Sequence, residues 1–288
     1  MTSLRLKTLI VVSFGVPLLA FAAPDPNSAA LGISPTTSGG TGPFSQFLTQ
    51  PGAISISGAA TGGDAAGLPV SGSGSTFVDY GVIKLQGSST TSLDTVARGI
   101  FRDNITITAP GIPNGTLGTL TYAVSLTGAL AATSGLGTQA GWLLQTNLGG
   151  GAFDMTHSGS LNGKTGFSGD PFGVFTATGH FQFGIAAPID VELTGSAQTR
   201  LDFSFLSGTA SFDLAHSLYW AGLSDVRDNT GKLVPQFAMT SDSGVDWTHS
   251  LVPVPEPSSL LLFCFGLVGL GIRQSRRIRS AYTGQLSR

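Results

Sequence analysis

The sequence predicts an all-β protein, an antiparallel two-sheet β-sandwich of jelly-roll type, with an immunoglobulin-like sandwich as the alternative. Three observations lead there. Glycine is very frequent (41 residues), only 10% of residues are charged, and Glu, Lys and Gln are scarce, a composition that excludes a helical bundle. Apolar residues alternate with polar ones in short runs, the period of a half-buried strand. These runs are separated by turn residues at the spacing of sandwiches and barrels, with no fixed repeat that would favour a β-solenoid.

The elements follow in chain order. Residues 24–74 are rich in Gly, Ser and Thr and poor in large apolar side chains, which predicts a low-complexity extended arm with one strand near 53–57. Alternation begins at 75. Residues 77–85 form one run, and 104–108 (Asn-Ile-Thr-Ile-Thr) form a period-two strand closed by Pro110-Gly111 and Asn114-Gly115. In 117–126, Leu120, Tyr122, Val124 and Leu126 share a face. Further strands are expected at 142–147, 174–185, 189–194, 202–206, 210–214, 218–223, 233–239 and 245–247. The clearest hairpin turn is 226–234, where Asp228, Asn229 and Gly231 can take positive φ or bond their own backbone.

Both ends depart from this pattern. Arg5 and Lys7 precede an apolar run, and Ala20, Ala22 and Ala23 supply the small residues of a cleavage site, so residues 1–23 read as a secretory signal peptide. At the other end Val254, Pro255, Glu256 and Pro257 precede the apolar residues Leu260, Leu261, Leu262, Phe263, Cys264, Phe265, Leu267, Val268, Leu270 and Ile272. Arg273, Arg276, Arg277 and Arg279 follow. The run measures about 20 Å as a helix, short of a roughly 30 Å bilayer core. It has no polar face, however, and its arginines can snorkel to extend the span. It reads as a single transmembrane helix whose basic cluster stops transfer and stays cytoplasmic. The expected organisation is signal peptide 1–23, arm 24–74, sandwich 75–251, tail signal 252–279 and cytoplasmic tail 280–288.

This tail resembles the PEP-CTERM sorting signal of Gram-negative bacteria, with Val-Pro-Glu-Pro intact at 254–257, the apolar segment next and Arg276-Arg277 closing it. The strands near the end (Ser211 to Leu218, the Asp228 turn, Ser241 to Trp247) also resemble the ends of other ectodomains that carry such tails. The resemblance implies export through the Sec translocon, cleavage by signal peptidase and transient anchoring in the inner membrane. An exosortase, a membrane cysteine transpeptidase, would then cleave near 254–257, with delivery to the cell surface or extracellular space. Glu256 and its flanking prolines would be the recognition residues. It also implies an association with exopolysaccharide and biofilm matrix.

The body offers little chemistry of its own. Between Asp25 and Glu256 it holds sixteen acidic and seven basic side chains, a net charge of −9, which argues against nucleic acid as a partner. The only cysteine, Cys264, lies in the apolar tail, so the body has no disulfides. His157, His180, His216 and His249 show no metal-ligand spacing and read as structural. No Gly-x-Ser-x-Gly elbow or P-loop is present, and no cofactor is expected. Asp190 and Glu192 share a strand face and read as solvated. Asp225, Asp228 and Asn229, with Asp242 and Asp246 at a second turn, are weak calcium candidates, since turns favour Asp and Asn in any case. The reading is a non-catalytic structural or exopolysaccharide-associated protein. The alternatives are a secreted hydrolase, or an ice-binding or adhesin module, for which the Thr-x-Thr pairs Thr106/Thr108 and Thr176/Thr178 lie far apart and do not repeat.

Overall fold

The computed structural model describes residues 27–35, 44–63, 69–133, 137–200 and 208–253. Two antiparallel sheets pack face to face as a sandwich, and among the described residues all regular structure is strand. The strands are β1 (Asn27–Pro35), β2 (Phe44–Gln50), β3 (Ile54–Gly63), β4 (Pro69–Asp79), β5 (Val82–Thr90), β6 (Leu93–Thr108), β7 (Leu117–Leu126) and β8 (Ala129–Ala132). They continue as β9 (Thr138–Leu148), β10 (Met155–Asn162), β11 (Gly166–Gly169), β12 (Gly173–Gln182), β13 (Ala187–Thr199), β14 (Thr209–Asp228) and β15 (Ala238–Ser241).

The larger sheet runs β11-β10-β9-β13-β6-β1-β2, with β15 also on β6. The smaller runs β12-β7-β14-β5-β4-β3, with β8 also on β14. Four antiparallel ladders nest inside one another along the chain: β5 with β14, β6 with β13, β7 with β12 and β9 with β10. Successive ladders fall in alternate sheets. That nesting is the jelly-roll winding, and it selects this topology over the immunoglobulin-like alternative.

The expected arm is corrected. Residues 27–35, 44–50, 54–63 and 69–79 are strands of the sandwich: β1 joins β6 and β2, and β4 joins β5 and β3. Small side chains suffice there because the facing sheet supplies the bulk. A Cβ at Gly72 would lie 2.8 Å from Ile33, and one at Gly74 would lie 2.6 Å from Leu31. The run 77–85 divides into two strands at Tyr80-Gly81, where Gly81 has φ 74°, open to glycine and strained for other residues. The runs 210–214 and 218–223 join as β14, which pairs β5 over Thr209–Tyr219 with a register shift between Leu214 and Leu218, and pairs β7 on its other edge from Leu218. Residues 245–247 form no strand, and 202–206 lie outside the described residues.

Inward positions fill a single main core. Trp220, Trp247, Tyr122, Phe101, Phe183 and Phe212 are its largest fully buried side chains. Phe212 fits because it meets glycine on both sheets: a Cβ at Gly87 would lie 2.3 Å from its ring, and one at Gly195 would lie 2.5 Å away. Tyr122 of β7 stacks on Trp220 with centroids 5.2 Å apart, and its hydroxyl crosses to the other sheet, 2.6 Å from Thr146 Oγ1. It also donates to Asp154 Oδ2 at 3.1 Å. Burial pushes the Tyr122 phenol well above its ordinary range.

Candidate functional site

The part of the fold nearest the tail signal is a closure built on a buried carboxylate. In β6 the inward positions alternate through Ala97, Phe101, Asp103, Ile105 and Ile107, so Asp103 falls on the core side. It is 7% exposed, and a buried charge needs donors. It receives them from the last turn of the body: Trp247 Nε1 donates to Oδ2 at 2.7 Å, the Ser243 hydroxyl donates to the same oxygen, and Ser243 N donates to Oδ1 at 3.1 Å. The Asn104 amide adds a fourth contact at 2.9 Å.

Aromatic packing completes the closure. Trp247 is fully buried, stacked on Phe101 at 5.5 Å and edge-on to Trp220 at 5.2 Å. Trp220 Nε1 donates to the Trp247 carbonyl at 2.8 Å, so both indoles of this closure find a partner. Leu251 N then donates to the Trp220 carbonyl at 2.9 Å, and its side chain covers Gly81. The body is thus fastened down to Leu251, three residues before Val254. Val254, Pro255, Glu256, Pro257, the apolar residues 260–272, the arginines at 273–279 and Ala20, Ala22 and Ala23 lie outside the described residues.

The weak calcium candidates are not brought together. Asp225 pairs with Arg227 at 2.8 Å, and that guanidinium holds its carboxyl below the usual range. Asp228 caps the hairpin: its Oδ1 accepts from the Thr230 hydroxyl at 2.6 Å, Thr230 N at 2.9 Å and Lys232 N at 3.0 Å, which lowers its pKa. These acids serve turn geometry instead of converging on an ion. In the second turn, Asp242 accepts from Asn104 Nδ2, while Asp246 bonds Thr248 and lies 2.8 Å from His249 Nδ1. No group of three or more His, Cys, Asp or Glu that could hold a metal ion forms among the described residues.

The remaining candidates are paired across strands. Asp190 meets Arg102 at 3.0 Å and Glu192 meets Arg98 at 2.6 Å, two ion pairs bridging β13 and β6. Burial raises the Asp190 carboxyl, with Arg102 opposing the shift. His180 is exposed on β12. His157 lies 2.8 Å from Asp170 and 4.4 Å from the Phe175 ring, beside a cluster in which Trp142 meets Phe172 and Phe175. Sequence reasoning missed Asp103 and Trp247 as a pair. The available signal was an acid on the inward parity of a strand otherwise apolar on that side.

Comparison with known proteins adds one local identification. Residues 253–277 match the family model for the PEP-CTERM protein-sorting motif, so the tail is a sorting signal of that kind. Such a signal implies an exported protein with a membrane-anchored intermediate, and an exosortase as its processing partner. No curated protein matches the chain. Among solved structures, one titled "Structural basis for the promiscuous specificity of the carbohydrate-binding modules from the beta-sandwich super family" aligns at 10% identity and a TM-score of 0.16. It covers 68% of this chain and 86% of that one. A likeness that low carries no argument about function.

Proposed function

We propose that this chain is an exported protein released from its membrane anchor by an exosortase and delivered to the cell surface or extracellular matrix. There its sandwich acts as a non-catalytic structural or exopolysaccharide-associated body. The observation that carries the proposal is the sorting motif at 253–277, which begins two residues after a body fastened down to Leu251. The non-catalytic part is supported by the work the acids already do. Asp103 holds the closure, Asp190 and Glu192 hold arginines, and Asp228 and Asp246 hold turns. The polysaccharide part is supported by the outer face of the smaller sheet. A shallow depression of about 390 Å³ between β4, β5 and β14 is lined by Gly74, Gly87 and Phe212 together with Ser73, Ser75, Gln86, Ser88 and Asp213, whose polar groups suit sugar hydroxyls.

The test is the intact mass of protein recovered from envelope and medium of a host with an active exosortase, beside a Glu256→Ala variant. The expected wild-type product ends near Pro255 to Pro257 and co-sediments with the exopolysaccharide of the same cells, while the variant keeps its arginines in the membrane. Wild-type protein that retains Arg276 and Arg277 would overturn the sorting proposal. Processed protein that stays free of the polysaccharide would overturn the binding part alone.

A further inference from the structure

β2 ends the larger sheet, and among the described residues its only strand partner is β1. A terminal strand presents unpaired N–H and C=O groups, and native sheets protect such edges with charge, proline, bulges, shortness or cover. At the far end of the same sheet the protection is shortness, since β11 has four residues, two of them glycine. Among the described residues β2 has none of these devices. Its seven residues, Phe-Ser-Gln-Phe-Leu-Thr-Gln, include no charge, proline or glycine, and its register with β1 is continuous. The whole segment 26–63 contains no Asp, Glu, Lys or Arg. Exposed apolar side chains stand on both faces of the strand: Phe47 is 48% exposed on one and Leu48 is 40% exposed on the other.

The sequence of β2 is complementary to itself. Antiparallel pairing of two copies over the full strand centres on Phe47, which faces its own counterpart. Ser45 then faces Thr49, Gln46 faces Leu48 and Phe44 faces Gln50. One face gains an aromatic pair flanked by two Ser–Thr pairs, combinations that stabilise antiparallel sheets, and no like charges meet. The neighbouring edge leaves room for the approach: β3 ends the smaller sheet with Gly58, Ala59, Ala60, Thr61, Gly62 and Gly63, and the Phe44 ring lies against Gly58. We propose that β2 is the site at which two copies of this chain join edge to edge about a two-fold axis, fusing their larger sheets into one. The contact is isologous and closes on itself, so it yields a dimer and no fibre. It does not depend on the sorting proposal.

The experiment uses the full chain in detergent, with Cys264→Ser removing the native thiol. Two-fold pairing holds opposed Cα atoms about 4.5–5.5 Å apart, within disulfide reach. Phe47→Cys in that background is expected to give mostly covalent dimer on mild oxidation, whereas Thr176→Cys, exposed on β12, stays monomeric. In parallel, sedimentation of the chain is compared with a Phe47→Lys variant, which opposes two like charges and weakens the dimer about tenfold or more. Phe47 is exposed, so the variant folds, as an unchanged far-ultraviolet circular dichroism spectrum will verify. A monomeric wild-type chain at about 100 µM, far above a micromolar-range dissociation constant, overturns the proposal. So does a dimer indifferent to Phe47→Lys, or Phe47→Cys cross-linking no better than Thr176→Cys.

Discussion

Asp103 ties the end of the body to β6. Its carboxylate gathers the Trp247 indole and two donors from Ser243, about 140 positions away in sequence. Hydrogen bonds to a charged group contribute about 1.5–3 kcal/mol, and their buried donors would be orphaned by truncation. Asp103→Ala should therefore lower unfolding stability by about 3 kcal/mol, read by urea denaturation with tryptophan fluorescence as the probe. Asp228 gives a pH prediction of opposite kind to a buried acid. Its folded pKa is depressed, chiefly by the Thr230 hydroxyl. The turn is therefore stabilised above the ordinary aspartate range near pH 4 and loses that support as pH falls through the lowered value. The amide resonances of Thr230 and Lys232 should stay fixed down to about pH 4 and move only below it. In Asp228→Asn that transition should vanish. Asp154 runs the other way: burial raises its carboxyl, so acidification relieves a cost there. At this scale the sequence made the Asp228 turn legible, because a capping side chain acts on its near neighbours. The Asp103 closure depends on partners that only the folded chain brings close.

Elements were legible where alternation was strong. Leu117–Leu126 matches its expected bounds as β7, and 189–194 lies within β13. The failures share a cause, which is that strands are stabilised by ladders as well as by apolar side chains. β1, β3 and β4 are rich in Gly, Ser and Ala, yet every one is paired along its length. Their burial is shared with Leu31, Ile33, Ile54, Ile56 and Val70, too sparse in sequence to mark a strand set. Small residues are also what let the sheets approach. The Phe212 ring touches the bare backbone of Gly87 and Gly195 on opposite sheets. Gly195→Ala should destabilise the protein by about 1–3 kcal/mol through overpacking, and Phe212→Leu in the same chain should recover part of the loss. A thermal or urea double-mutant cycle reads that coupling; additive effects would refute the packing account.

For the molecule as a whole, composition and period predicted a sandwich, because they report how residues face a core. They say nothing about which strand lies beside which, and so the two sandwich topologies could not be separated until the nested ladders were visible. Function divides in the same way. The sorting motif is contiguous and was readable at once, whereas the depression on the smaller sheet is assembled from β4, β5 and β14, far apart in the chain, and β2 becomes an edge only through the strand order. The edge pairing and the release experiment therefore address different properties, one the state of association and the other the route to the surface.

The nested winding has a consequence for the order of events in time. Gln86 of β5 reaches Asp213 of β14 across 127 positions, and Trp247 enters the core later still. Contacts so distant along the chain make folding slow, because loop-closure entropy is lost before any pairing compensates it. A polypeptide threaded through a channel from its N-terminus cannot complete β5, β7 or the Trp220 pocket until nearly all of the body has emerged. On the proposed export route the strand arrangement would thus keep the protein open during transit, with the last residues needed to finish it arriving only a few positions ahead of the sorting motif.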